Sequence, residues 1–237
     1  MMLTDSELIE RLKIKPTDRV LDIGGSMKQH REIKVDTLVD IIRPEESPLI
    51  KNKLLAKNFV KLDITKEKLP FKDKEFDVCL CTHTLEDLYN PFNIIDEMSR
   101  VAGRGYISTP SMGKDMEYSH FNLTNWKTGP RRVAGVGHHK WFFVNEKDVM
   151  KIIPKNYPLL STSKFHITKW SGEDEFQYLW NGKIKYQEVS DLDFHKFIGV
   201  YNNFLKTNKK NIKCGPVLFF LDNPYYMIKE AVKSVLK

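Results

Sequence analysis

Cysteine is scarce: Cys79, Cys81 and Cys214 are the whole complement of a 237-residue chain. Three thiols cannot staple a disulfide scaffold, and Cys79 and Cys81, two apart in a strand-like run, would share one face with poor geometry for a bridge. A reducing, cytoplasmic setting is expected. Long apolar runs are missing too. Stretches such as 217–221 and 141–144 fall far short of the roughly 18 residues a membrane span needs, so no span is expected. The N-terminus carries Asp5, Glu7 and Glu10 where a secretory signal would place a basic and then an apolar region, so export is not expected either. Internal repeats and low-complexity tracts are also absent from the sequence.

Acid is in deficit. Lys plus Arg number 38 against 31 Asp plus Glu, a formal charge of +7, and Lys206, Lys209, Lys210 and Lys213 concentrate part of the excess. A balance of this kind attracts nucleic acid, anionic lipid or phosphorylated substrates. No aromatic residues interleave with these lysines as a base-stacking surface requires, so a solvated basic loop is the simpler reading and nucleic acid is not the favoured partner. What is present is ordinary for a globular chain: 41% hydrophobic, 11% aromatic and 29% charged residues, with a length that suits one sizeable domain.

Thr4 to Lys13 has helical spacing at Leu8, Ile9 and Leu12, with Thr4 or Asp5 placed to cap it and Pro16 to stop it. Short β-branched and apolar runs follow at 19–23, 37–42, 59–64, 76–82 and 105–109, and Asn90-Pro91 opens a helix running to about Val101. Only Ser26 to Val35 separates the first two runs, so any helix there must be short. Strands alternating with crossovers predict an α/β fold: a Rossmann-like, mostly parallel, seven-stranded sheet with helices on both faces. The segment 111–141 is polar and glycine-dotted, the mark of a lid or acceptor-side insertion. Asn181-Gly182, between two β-like runs, predicts an antiparallel hairpin. The expectation is thus one domain over 1–237, with a C-terminal hairpin and tail over 160–237 and a last helix over 225–236.

In an open α/β sheet, ligands bind beyond the carboxyl ends of the strands. The first strand ends in Asp22, Gly24 and Gly25, the second in Asp40, the third in Asp63, and the fourth in Thr82 and His83. An acid about 20 residues past a glycine turn is placed to accept both ribose hydroxyls of a nucleoside. Gly24-Gly25-Ser26 lacks the third glycine of a pyrophosphate-binding turn, and a carboxylate at Asp22 would repel phosphate. A nucleoside bearing an ammonium group would instead benefit from that carboxylate.

These residues, in order, resemble a family. Val20 to Gly25, Asp40, Leu62-Asp63-Ile64, the run Phe76 to Glu86, and Glu97 to Pro110 look like the motifs of class I S-adenosylmethionine-dependent methyltransferases, in the broad group with His-x-Leu-Glu after the fourth strand. The resemblance covers roughly 19–111. It implies S-adenosyl-L-methionine as cofactor, with Asp22, Gly24, Gly25 and Ser26 along its methionine end, Asp40 at the ribose, Asp63 and Ile64 at the adenine, and Thr82 and His83 flanking the sulfonium. Ser26 departs from the family, which commonly has glycine there. The resemblance also implies a small-molecule acceptor, a sugar or a lipid precursor. Rival readings are an RNA or protein methyltransferase, motivated by the basic balance, and a non-catalytic binding protein on the same fold.

Methyl transfer requires alignment of donor and nucleophile and exclusion of water, with no metal needed. A hydroxyl or ammonium acceptor must also lose a proton, which makes His83, His120, His138 and His139 candidate bases. His138 and His139 are adjacent, and in extended backbone their side chains would point to opposite faces, so a zinc site is not expected. Nothing in the sequence sets the oligomeric state.

Overall fold

The computed structural model describes residues 2–47, 51–119, 133–160, 165 and 167–214. In chain order the elements are α1 (Asp5–Leu12), β1 (Val20–Ile23), β2 (Thr37–Asp40), β3 (Asn58–Lys61), β4 (Phe76–Thr82), α2 (Phe92–Val101), β5 (Ala102–Pro110), α3 (Met112–Met116), β6 (Tyr118–Ser119), β7 (Val133–Ala134), β8 (Trp141–Glu146), β9 (Val149–Pro154), α4 (Tyr157–Leu160), β10 (Ile167–Trp170), β11 (Glu175–Asn181), β12 (Tyr186–Glu188), α5 (Phe194–Thr207) and β13 (Ile212–Cys214). His120 and the helix expected over 225–236 lie outside the described residues.

The described chain divides into two compact units where the sequence suggested one domain. The first, 1–110 with 140–153 and 175–188, holds the main sheet, whose order is β11-β5-β4-β1-β2-β3. Five of its strands are parallel, and β11 closes one edge antiparallel to β5. Among the described residues this sheet therefore has six strands, not seven.

Each strand fits its place by pattern. β1 and β4 lie between neighbours on both edges and are buried almost throughout, which is why they read as near-continuous apolar runs. β11 alternates, with Phe176, Tyr178 and Trp180 buried and Leu179 exposed. Trp180 stands opposite Gly105, where a Cβ would overlap both the Cys79 carbonyl and the indole.

The two faces are covered differently. On one, α2 buries Ile94, Ile95, Met98 and Val101 against Leu21, Ile23, Cys79 and Cys81. On the other, α1 packs Leu8 and Leu12 against Val20, Leu38, Val78, Leu80 and Tyr106. Thr4 caps α1, accepting from Glu7 N while the Glu7 carboxylate accepts from Thr4 N at 2.7 Å. Between β1 and β2 no helix forms. Residues 26–36 run as turns and bends, with Ile33 and Val35 doing the covering that a crossover helix would otherwise do.

The hairpin expected at Asn181-Gly182 does not form. Gly182 has φ +77° and donates its N–H to Gly103 O at 2.8 Å, and the chain then leaves the sheet. Tyr186–Glu188 pairs in parallel with β9 in a separate sheet ordered β12-β9-β8. The turn supplies the reversal, but tertiary packing decides the partner: Ile184 N bonds Ser99 Oγ at 3.0 Å and Tyr186 stacks on Phe92 with centroids 5.8 Å apart.

The second unit comprises 111–139, 154–174 and 189 onward. It contains the two-stranded pairs β6-β7 and β10-β13 and the helix α5, whose Phe197 and Tyr201 are buried. Tyr201 donates its hydroxyl to Pro154 O at 2.7 Å, and Trp170 stacks on Phe204. α5 had no counterpart in the sequence reading. Its apolar stripe, Phe197, Tyr201, Phe204 and Leu205, has helical spacing, with Gly199 and Asn203 on the exposed face.

Candidate active site

The carboxyl ends of β1, β2 and β4 are neighbours because these strands pair directly: Asp22 lies beside Leu38 and Leu80 in register. Gly24 turns the chain at φ +77° and bonds Val39 O at 2.8 Å. A Cβ on Gly24 would overlap the Thr84 side chain, and one on Gly25 would overlap the Asp22 carboxylate. Both positions therefore need glycine: they let the backbone lie flat over two side chains below.

Asp22 is fully buried under this turn rather than open at its rim. Burial raises its carboxyl to about 6, Asp40 adds to the rise, and His30 opposes it. Its charge is thus felt through the turn. Asp40 is half-buried at the end of β2, accepting from Ser26 N at 3.0 Å and Ile42 N at 3.3 Å. Each of its oxygens keeps a second lone pair for a hydroxyl donor. Ser26 is buried and gives its hydroxyl to Ile42 O at 2.6 Å. The residue that departs from the family pattern thereby laces the β1 turn to the end of β2, a tether that glycine could not supply.

Asp63, after β3, caps its own turn, accepting from Thr65 Oγ1 at 2.5 Å and pairing with Lys66 at 2.8 Å. Lys66 and the Thr65 donors hold its carboxyl down at about 2. Ile64 is buried beside it in the core. The Asp63 carboxylate is therefore engaged locally, and its neighbourhood offers an apolar surface and backbone groups.

Thr82 is buried, and Thr84 Oγ1 donates to its carbonyl at 3.1 Å. His83 adopts φ +51° and sits between two acids, with Nδ1 3.3 Å from Glu86 and Nε2 3.2 Å from Glu175. The Glu175 hydrogen bond first, and then Glu86, push its imidazole up to about 9 despite partial burial. At neutral pH it carries its proton already, so it orients and donates rather than accepts. Glu175 also takes the Ser108 hydroxyl at 3.1 Å. Sequence reasoning assigned no role to Glu86 or Glu175. The His-x-x-Glu spacing was visible, but Glu175 reaches the site only because β11 pairs with β5.

His138 and His139 belong to the second unit. His139 is buried, its Nδ1 3.1 Å from Asp115 Oδ1. Asp115 also takes Lys155 Nζ at 2.9 Å and Val136 N at 2.9 Å, and Tyr157 donates to Val136 O. His139 is thus built into a buried polar cluster of that unit. His138 is exposed and occupies a turn, not extended backbone, and its ring meets that of His139 edge-on with centroids 5.0 Å apart. The alternation used to send the two rings to opposite faces does not apply there.

The site residues fit the cofactor that the motifs imply: a glycine turn that a Cβ would fill, a buried carboxylate beneath it, and an acid with free lone pairs eighteen residues on. Residues 34–107 match the model of the family described as a methyltransferase domain. An uncharacterised protein of Methanocaldococcus jannaschii is 38% identical over 100 residues, covering 41% of this chain and 46% of that one. The chain thus aligns with less than half the length of this relative. Among solved structures, it is similar to an S-adenosylmethionine-dependent methyltransferase from Mesorhizobium loti, at 13% identity over 54% of this chain and 62% of that one, with a TM-score of 0.34. It is also similar to one from Aquifex aeolicus, at 20% identity over 46% and 65%, with a TM-score of 0.31. Over residues 34–107, under a third of its length, the chain thus matches a methyltransferase domain, and those residues lie on a mostly parallel α/β sheet.

Proposed function

We propose that this protein transfers the methyl group of S-adenosylmethionine to a small-molecule acceptor, with a sugar or a lipid precursor as the acceptor class. The observation that carries the reading is the glycine turn over buried Asp22, with Asp40 at the next strand end. Bound there, the cofactor would supply a methyl group already activated on a sulfonium. Asp40 would hold the ribose, the backbone of Gly24 and Gly25 would receive the methionine end, and Ile64 would pack on the adenine. Thr82 and His83 would flank the reacting side. The protein's task is alignment and exclusion of water.

At the ends of β4 and β11, two carboxylates surround one imidazolium, leaving one net negative charge. That balance suits a neutral hydroxyl or an amine over a phosphate. Because His83 is already protonated, the acceptor's proton passes to Glu175, which Ser108 and His83 orient.

Calorimetry with S-adenosylhomocysteine and with NAD tests the cofactor. The first is expected to bind and the second not. Asp40→Ala in a folded protein should weaken binding by about 1.5–3 kcal/mol, the range for hydrogen bonds to a charged group. Transfer of labelled methyl to fractionated small molecules, RNA and protein then separates the acceptor classes. Label confined to RNA or protein would replace the small-molecule reading, and binding without transfer to any fraction would make the chain a binding protein.

A further inference from the structure

Beneath the glycine turn, on the α1 face of the sheet, lies a polar arrangement that the methyltransferase reading does not use. The loop between β1 and β2, which forms no helix, carries His30 inward until it is 8% exposed. Asp5, in the first turn of α1, fixes it there: its Oδ1 meets His30 Nδ1 at 2.6 Å, while its Oδ2 accepts from Arg31 N at 2.7 Å and Glu32 N at 2.9 Å. With Nδ1 committed to Asp5, the other ring nitrogen, Nε2, is left buried. His30 and Asp22 line one cavity of about 10 Å3 together with Gln29, Ile33, Val35, Leu38, Leu55 and Ala56. That is about the volume a single water occupies. Among the described residues neither His30 Nε2 nor Asp22 Oδ1 has a hydrogen-bond partner, although both atoms are buried.

Two buried, unpartnered polar atoms lining one water-sized, mostly apolar space are costly unless a water bridges them. We propose that His30 is a positioning residue for the cofactor's ammonium end: His30 and Asp22 hold one shared proton across this cavity through a single bridging water, and His30 thereby sets the charge beneath the glycine turn. In one form the proton sits on Asp22 Oδ1 and the ring is neutral. In the other the O–H bond breaks, an N–H bond forms at Nε2, and an imidazolium lies between Asp5 and a charged Asp22. A cation arriving above Gly24 and Gly25 favours the second form. The proposal rests on the cofactor reading for its ligand, but the shared proton is a property of the free protein.

The groups facing Asp22 are few. Asp40 from β2 and Asp5 from α1 raise its carboxyl, the Ile23 N–H lowers it, and His30 is the nearby cation that lowers it. Cys79 and Cys81 of β4 lie close, and burial pushes both thiols up, so they stay neutral. Removing His30 therefore leaves Asp22 buried among acids with no compensating charge.

The test follows the Asp22 carboxyl carbon by NMR in ligand-free protein, wild type and His30→Gln. The expected result is a titration midpoint raised by about one unit or more, the size of losing one close opposite charge. An unchanged midpoint overturns the proposal whatever ligands bind. Asp5→Asn, which keeps the ring but removes its anchor, should shift the midpoint the same way by less, and it serves if His30→Gln does not fold. Calorimetry adds a readout that a purely structural role would not move. At pH 7, His30→Gln should weaken S-adenosylhomocysteine about tenfold while leaving 5′-methylthioadenosine, which lacks the ammonium group, within about twofold. Equal losses on both ligands overturn the proposal. If wild type binds neither ligand, the cofactor reading fails, and the Asp22 midpoint still decides the shared proton.

Discussion

His83 has the most perturbed environment at the candidate site, and its consequence for stability has a definite sign. Its folded value, about 9, lies above the ordinary 6.5 because Glu175 and Glu86 favour the imidazolium. A histidine raised on folding contributes stability that is complete below about 6.5 and is lost as pH rises through about 9. Wild-type denaturant midpoints should therefore fall between those limits, and His83→Gln should flatten that limb while lowering stability at pH 6. Because the ring is over a third exposed, solvent screening keeps the effect modest. A limb of equal slope in the variant would place the titrating group elsewhere. Asp22 acts in the same direction over a lower window: burial raises its carboxyl, so its ionisation costs stability as pH rises from about 4 toward 6. A costly buried carboxylate under a turn points to ligand chemistry rather than to packing.

At the scale of elements, the junction of β4, β5 and β11 depends on one missing side chain. Gly105 lets the Trp180 indole lie across β5 beside the Cys79 carbonyl. Gly105→Ala would force the strands or the indole apart, an overpacking cost of about 1–3 kcal/mol or more. Urea denaturation should show this loss. The sheet edge that carries Glu175 would move with it, so the His83 limb described above should weaken in the same variant. The Ser26 tether works on a smaller span, holding the β1 turn to β2 through two hydrogen bonds.

At the scale of the whole molecule, the charge of +7 is carried in part by the end of α5, the turn after it and β13, where Lys206, Lys209, Lys210 and Lys213 are all exposed. They belong to the second unit, whereas the glycine turn, Asp40 and His83 belong to the first. Exchanging all four for Gln should reduce RNA retention and its salt dependence, since each lost phosphate contact releases fewer counterions. Methyl transfer to a small acceptor should persist. Loss of that transfer in a folded variant would bring the lysines into the site. Among the described residues no helix is long and apolar enough to cross a membrane.

The sequence by itself determined the elements whose signals are local. A cap for α1 at Thr4 or Asp5, the apolar runs of the parallel strands, the glycine turn and the acids at the strand ends were legible because period, caps and turn chemistry act over a few residues. Tertiary structure decided what those residues meet. The hairpin signal at Asn181-Gly182 was sound as a turn, but Ser99 and Phe92 took the following segment into another sheet. Asp40, Asp63 and Ser26 are expected site residues from the sequence, yet their hydrogen bonds with Ile42, Lys66 and one another follow from how the loops close. His83 looked like a base until Glu175, far along the chain, arrived on β11 to hold its proton. His30 gave no signal at all, because a lone histidine in a polar loop acquires meaning only when Asp5 of α1 fixes it beside the cavity that a buried acid also lines. Long-range pairing and burial set charge states, and neither is written in the spacing of neighbours.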